Sequence, residues 1–494
     1  MRQASAHTRG ARRSDTRRGS SGVPARPRRC SEAEPERVRL GTTATPLRQQ
    51  DESAEFSRFI WGLQRTMWQV TDLKRLAGCH RWRAPGAGVA SVVWQGEGSS
   101  RWGGLQKSGS VWASPLSSVK ISNRRAEEVH RAVRNWVADG DRAVSFLTLT
   151  LRHNARQSLA DVWSTLAACW SAVTRGASWY GGKRQEGDKK QFGITHWIKA
   201  VEVTHGKNGW HVHLHVLLLT EHELTPDQQG ALRGRIFKRW AAAAERKGFA
   251  APTMERGVVL EQAVRSTSDE DMSRLSKYVT KSNIIGLARE VTGGQMKTAR
   301  ESAGPEKNRT PFEILRDMKT AIDAGEEVPA LDLALWREWE STSSGKRQMA
   351  WSKGAKDALG VDELTDEEIE QAAEEEHPEN VAVAEVDAED WREICSDVDL
   401  RLNVTEFVAK AKSREDARRR AGQILTALEV PHRLVMVDLS EGEDSRTAHA
   451  ERLAALKRDL EGAVLAVMSR DVVLAPARND TVPIQEVSVQ TACR

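Results

Sequence analysis

His211-Val212-His213-Leu214-His215-Val216-Leu217-Leu218-Leu219 alternates polar with apolar residues and then turns wholly apolar. Side chains alternate across a strand, so His211, His213 and His215 share one face while Val212, Leu214 and Val216 share the other. Two imidazoles at i and i+2 can reach one metal ion, and imidazole is the commonest transition-metal ligand. Solvent-facing histidines on a half-exposed strand are the plain alternative. With only 13 His in 494 residues, three alternating on one strand favour the metal reading. His205-Gly206-Lys207-Asn208-Gly209 reads as a hairpin loop, preceded by a strand from about Ile194 to Thr204. A register facing Thr204 with His211 sets Glu202 opposite His213. Two neutral imidazoles and one carboxylate leave positions open on Mn²⁺ or Mg²⁺ for phosphate oxygens and water. An ion pair of Glu202 with Lys199 or Lys207 is the alternative, and His205 reads as a loop residue.

Outward from this hairpin the periodicity stays regular. Ser122-Asn123 can cap a helix over 122–138 with Val129, Val133, Trp136 and Val137 on one side. A strand follows at Val144–Leu151, then a helix opened by Ser158. Thr225-Pro226 opens a helix carrying Leu232, Ile236, Phe237 and Trp240. A strand at 257–265 and a helix from Ser268 to about Ser282 complete the unit. The order β-α-β-β-α-β is that of a ferredoxin-like, RRM-like split βαβ domain. Its first and third strands are central, which makes Phe146–Thr150 and Trp210–Leu219 neighbours. The fold class expected is α+β.

The chain has 17 Trp and two Tyr, Tyr180 and Tyr278, so chemistry that needs a phenol has two candidates. On the helix read for its segment, Tyr278 shares a face with Asp271, Arg274 and Lys281. Cations beside a phenol favour the phenolate and can hold a phosphate. Helical periodicity alone favours Met272, Leu275, Tyr278 and Val279 as a core stripe, and the combination with the histidine strand is what lifts the nucleophile reading.

Three stretches taken together carry a resemblance: Phe146-Leu147-Thr148-Leu149-Thr150, Glu202 with His213-Leu214-His215, and Tyr278-Val279-Thr280-Lys281. In this order they resemble the motifs of HUH-endonuclease initiators of rolling-circle plasmid replication. Asn208-Gly209-Trp210-His211, Arg309–Leu315 and Leu335-Trp336-Arg337-Glu338 extend the likeness over roughly 70–360. The resemblance implies a metal-dependent nickase acting at the plasmid's double-strand origin, on a single-stranded or cruciform nick site. Tyr278 would attack phosphorus, forming a 5′-phosphotyrosine and freeing a 3′-OH for a host polymerase, with a host helicase as a further partner. His213, His215 and Glu202 would hold Mn²⁺ or Mg²⁺, and Lys281 would stabilise charge on the nonbridging oxygens. Arg274 and Lys277 would contact DNA. Some single-tyrosine relatives place a water-activating Glu where Arg274 stands, which leaves Asp271 as the substitute. Related proteins also carry a zinc-type Cys cluster. Here Cys79 matches one position, but Ser108, Ser114 and Ser117 occupy the others. Hydroxyls are poor zinc ligands, so no structural zinc is expected. The rival readings are an HUH transposase or relaxase and a catalytically inactive origin-binding regulator.

Charge is uneven along the chain. The net charge is +5, yet residues 1–50 hold 12 Arg against four acids and residues 361–400 hold 17 acids against Arg392 alone. A basic body suits a polyanion partner. Arg235, Lys238 and Arg239 on the helix after Pro226 are candidates for phosphate contact, and Trp82, Trp94, Trp102 and Trp112 for base stacking. Core packing of those Trp residues is the stronger alternative. Five scattered cysteines without a C-x-x-C pair fit a reducing, cytoplasmic setting, and no apolar run suits a membrane span. The expected domains are a disordered basic tail (1–55), an N-terminal accessory region (56–140) and the endonuclease domain (141–290). A helical extension (291–360), an acidic linker (361–400) and a small C-terminal α/β region (401–494) would follow.

Overall fold

A computed structural model describes residues 46–439 apart from 139, 267, 269–307, 376 and 378. It is an α+β structure of helices and two antiparallel sheets. The strands are β1 (Ala90–Trp94), β2 (Ser100–Gly103), β3 (Ala143–Thr150), β4 (Ile194–Gly206) and β5 (Gly209–Thr220). They continue with β6 (Val258–Val264), β7 (Met349–Trp351), β8 (Val381–Val386) and β9 (Arg433–Asp438). One sheet has the order β6-β3-β5-β4-β7 and the other β2-β1-β8-β9.

In the five-stranded sheet β3 and β5 are neighbours, with Thr148 opposite His215 and Thr150 opposite His213. Its inner face is built from alternate apolar residues. Leu149, Val201, Val212, Leu214 and Val216 are buried against Val162 and Leu166 of the helix Leu159–Val173 and Leu232, Ile236 and Trp240 of the helix Pro226–Arg246. Each such fully buried side chain contributes about 1.5–3 kcal/mol. Ser158 caps the first helix, and Thr225 with Gln228 forms a capping box on the second. The opposite face is covered only in part. Val144, Phe146, Ile198, Leu217 and Leu219 pack under Val129, Val133 and Trp136 of the helix Pro115–Val137. Among the described residues, that cover ends where β5 changes from Leu to His.

The β4–β5 turn is tighter than the five-residue loop expected, because pairing continues to Gly206–Gly209 and leaves Lys207-Asn208 as the loop. Gly209 has φ +83°, and a Cβ at Gly206 would collide with Asn308. The helix expected at 122–138 starts earlier, at Pro115 behind the Ser114 cap.

Three domain expectations are corrected. The helix Pro46–Val70 begins inside the stretch assigned to the tail, and Ile60, Leu63, Met67 and Val70 form its buried stripe. The acidic stretch 361–400 is no linker: β8 is buried along its whole length between β1 and β9. Helix Asp366–Glu375 buries Glu370 and Glu374. Bases distant in sequence make this possible, since Lys107, Lys120 and Arg101 all pair with Glu374. The accessory region and the C-terminal region are accordingly one sheet, into which Arg401 is buried over the rings of Trp61 and Trp391. Trp94, Trp102 and Trp112 are core residues, whereas Trp82 is exposed.

Candidate functional site

The face of the five-stranded sheet opposite the helices Leu159–Val173 and Pro226–Arg246 presents a row of parallel rings. His211 and His213 stack with centroids 6.2 Å apart, His213 and His215 with 6.4 Å, and Phe146 closes the row against His215 at 5.4 Å. The spacing follows from residues two apart on one strand face. In β4, Glu202 pairs with His213 and Thr204 with His211. The Glu202 carboxylate leans diagonally and accepts a hydrogen bond from His215 Nε2 at 2.5 Å.

Behind the rings lie residues of β3. Thr150 Oγ1 is 3.0 Å from His213 Nδ1, and Thr148 Oγ1 is 3.3 Å from His215 Nδ1. His211 is held differently: its Nδ1 lies 2.8 Å from His153 Nε2, while His153 Nδ1 donates to the Asn208 carbonyl. Sequence reasoning assigned no role to His153, Thr148 or Thr150. The available signal was the alternation Thr-Leu-Thr opposite two histidines.

Burial, then the neighbouring His153, His213 and His205, holds His211 down to about 4. Burial also lowers His213 against the pull of Glu202, with His215 and His153 adding to the effect. Neutral imidazoles and a carboxylate are the donor set a divalent cation requires. His213, His215 and Glu202 fit such an ion chemically: both Nδ1 atoms are engaged by hydroxyls, which leaves Nε2 as the ligand atom. Among the described residues no three His, Cys, Asp or Glu side chains form a ready-made coordination cage.

Tyr278, Lys281, Asp271, Arg274 and Lys277 lie outside the described residues. The described chain leaves β6 at Val264, opposite Val144, and pairs again at Arg309, opposite His205. Val144 faces Leu219 and His205 faces Trp210, so these two points sit at opposite ends of β5. Arg309 is clamped by Asp332 at 2.7 Å and Asp317 at 2.9 Å. Glu338 accepts hydrogen bonds from Trp210 Nε1 and the Leu159 amide. The downstream blocks therefore anchor the hairpin end of the site. The other phenol, Tyr180, is two-thirds exposed and follows the buried Trp179 at the end of the short helix Ala177–Tyr180.

The chain is similar to Protein rep of Streptomyces lividans, with 28% identity over 424 residues covering 75% of this chain and 90% of that protein. No family model matches the chain, and no solved structure matches it.

Two of the DNA contacts expected on the helix Pro226–Arg246 are Arg235 and Arg239. Both pair with Asp188, whose carboxylate is fully buried, and their helix packs on the sheet face opposite the histidines. Ion pairing to a buried acid explains their presence without DNA. Lys238 on the same helix is exposed. The four positions of the zinc-type cluster do converge. Cys79 Sγ lies 3.4 Å from Ser114 Oγ and 3.7 Å from Ser117 Oγ, and Ser117 Oγ lies 3.3 Å from Ser108 Oγ. Ser117 also donates to Glu370 at 2.9 Å, and Glu370 pairs with His80 at 2.7 Å. Burial disfavours the His80 imidazolium, but Cys79 and Glu370 override it and lift the ring to about 9. Burial likewise opposes ionisation of Glu370, yet His80 and Lys120 bring it down to about 2. No helix among the described residues is long and apolar enough to cross a membrane.

Proposed function

We propose that this protein is a rolling-circle plasmid replication initiator of the HUH-endonuclease type, built on a ferredoxin-like domain, that nicks and rejoins one DNA strand at its origin. The observation that carries the reading is the parallel pair His213 and His215, with Glu202 bonded to His215, on a half of the sheet face that the described residues leave uncovered. The similarity to Protein rep and the order of the three motifs support it.

A divalent ion held by His213, His215 and Glu202 would polarise the scissile phosphate. The Tyr278 oxygen, losing its proton, attacks phosphorus. The bond to the 3′ oxygen breaks, and that oxygen leaves as a 3′-OH after taking a proton. The 5′-phosphotyrosine keeps the phosphoester bond for a later rejoining without ATP. Lys281 and Arg274 steady the charge on the nonbridging oxygens, Lys277 binds the strand, and Asp271 receives a proton from water at termination. The partners in this reading are origin DNA, a host polymerase and a helicase, in the cytoplasm.

Supercoiled DNA bearing the cognate origin tests this directly. With Mn²⁺ or Mg²⁺ the protein forms a nicked product and a covalent protein–DNA adduct, and Tyr278→Phe abolishes both. An adduct that survives in Tyr278→Phe removes the nucleophile. No nick by the wild-type protein on a verified origin favours an inactive origin-binding regulator.

A further inference from the structure

We infer that the hydroxyls of Thr148 and Thr150 are positioning groups for the metal-binding histidines, acting as tautomer-adaptable partners of His215 and His213. The inference rests on the metal reading of the histidine site and adds two residues that do not themselves touch the ion.

The geometry is specific to these two rings. Antiparallel pairing puts Thr148 directly opposite His215 and Thr150 directly opposite His213 on one sheet face, and each hydroxyl meets the Nδ1 of its facing ring at 3.3 and 3.0 Å. The third ring of the row, His211, has its Nδ1 on His153 instead. The two histidines with a hydroxyl at Nδ1 are thus the two nearest Glu202, which pairs with one in register and bonds to the other.

The proton positions explain why a hydroxyl serves here. A carboxylate oxygen only accepts, so the Nε2–H of His215 points at Glu202, and the Thr148 hydroxyl meets Nδ1 on the other side of the ring. A cation at Nε2 requires that proton to leave, and the neutral ring then carries its proton on Nδ1, which donates to the same Thr148 oxygen. A hydroxyl can reverse its role between donor and acceptor. A carbonyl or carboxylate behind the ring could only accept, and a methyl group could do neither. Thr150 offers the same partner to His213. Both threonines are half-buried in a strand whose remaining residues are largely core, which fixes their hydroxyls against the rings.

Valine matches threonine in shape and in strand preference, so Thr148→Val and Thr150→Val, singly and together, remove the hydroxyls while keeping the packing. Mn²⁺ titration of the full-length protein, followed by electron paramagnetic resonance of free Mn²⁺, reads the site without DNA or turnover. The double Val variant is expected to bind Mn²⁺ about tenfold or more weakly, with each single variant in between. Thr148→Ser with Thr150→Ser, which restores both hydroxyls, returns affinity to near the wild-type value. Thermal unfolding of each variant reports on the fold separately. Wild-type affinity in the Val variants overturns the inference and leaves the metal reading standing, as does a failure of the Ser variants to recover. No Mn²⁺ binding by the wild-type protein overturns the metal reading and this inference with it.

Discussion

Two places in this molecule collect side chains of the kind that bind metals, and they have opposite surroundings. At His213, His215 and Glu202 the donors stand on a half of a sheet that the described residues leave uncovered, with His215 and Glu202 each about one-fifth exposed. At Cys79, Ser108, Ser114 and Ser117 the groups are buried, and hydroxyls, His80 and Glu370 satisfy one another. Hydrogen bonding completes the second place, whereas the first keeps polar groups where a ligand can arrive. Burial of an ion pair does not itself show function, because a closed network of this sort holds elements together.

The largest expected effect lies in the buried place. Glu370→Ala strands the His80 charge and destabilises the protein by about 3–5 kcal/mol in denaturant unfolding, with Mn²⁺ affinity unchanged. A loss of Mn²⁺ binding in that variant would mean that the two places are coupled. Next, His215→Ala weakens Mn²⁺ binding by about two orders of magnitude, or about 2.7 kcal/mol, while the unfolding midpoint moves little. A large stability loss there would recast the ring as a packing residue.

The pH dependence separates the two on the alkaline side, where His80 of the buried place loses its contribution. His80 is raised in the fold, so its contribution is complete below about 6.5 and fades as pH rises through about 9. Glu370 is lowered, so its contribution is present above about 4.5 and fades as pH falls toward about 2. His211 is lowered, so the unfolded chain binds its proton first and stability declines as pH falls from about 6.5 to about 4. Thermal midpoints measured across this range should show the alkaline decline vanish in His80→Gln and the decline between about 6.5 and 4 shrink in His211→Gln. The smallest effect belongs to Lys238→Ala, which should leave stability within about 0.5 kcal/mol. A loss of origin affinity in a gel-shift titration would return that exposed lysine to the DNA-contacting surface.

What was legible in the sequence is what depends on short-range period. The three histidines, the Glu202 register and the strand order follow from alternation and from one tight hairpin. What was not legible depends on partners far along the chain. The pairing of Arg235 and Arg239 with the buried Asp188 joins a helix to a distant segment and leaves no signal in the helix's own period. The acids of 361–400 look solvated until Lys107, Lys120 and Arg101 are found beside Glu374. Val381-Ala382-Val383-Ala384 is a short run covered on both sides, and a run of that kind carries no alternation to separate strand from linker. Thr148 and Thr150 were visible as strand residues, but their meeting with two imidazoles needed the neighbouring strand.

Because β8 enters between β1 and β9, synthesis and folding of the second sheet are out of step. A ribosome delivers β1 and β2 early, and the hairpin must wait for β8 at Val381–Val386, about 280 residues after Gly103, before its missing neighbour exists. Throughout that interval the β1 edge is open to strangers, so a nascent chain stalled before Val381 is the form most in need of a chaperone.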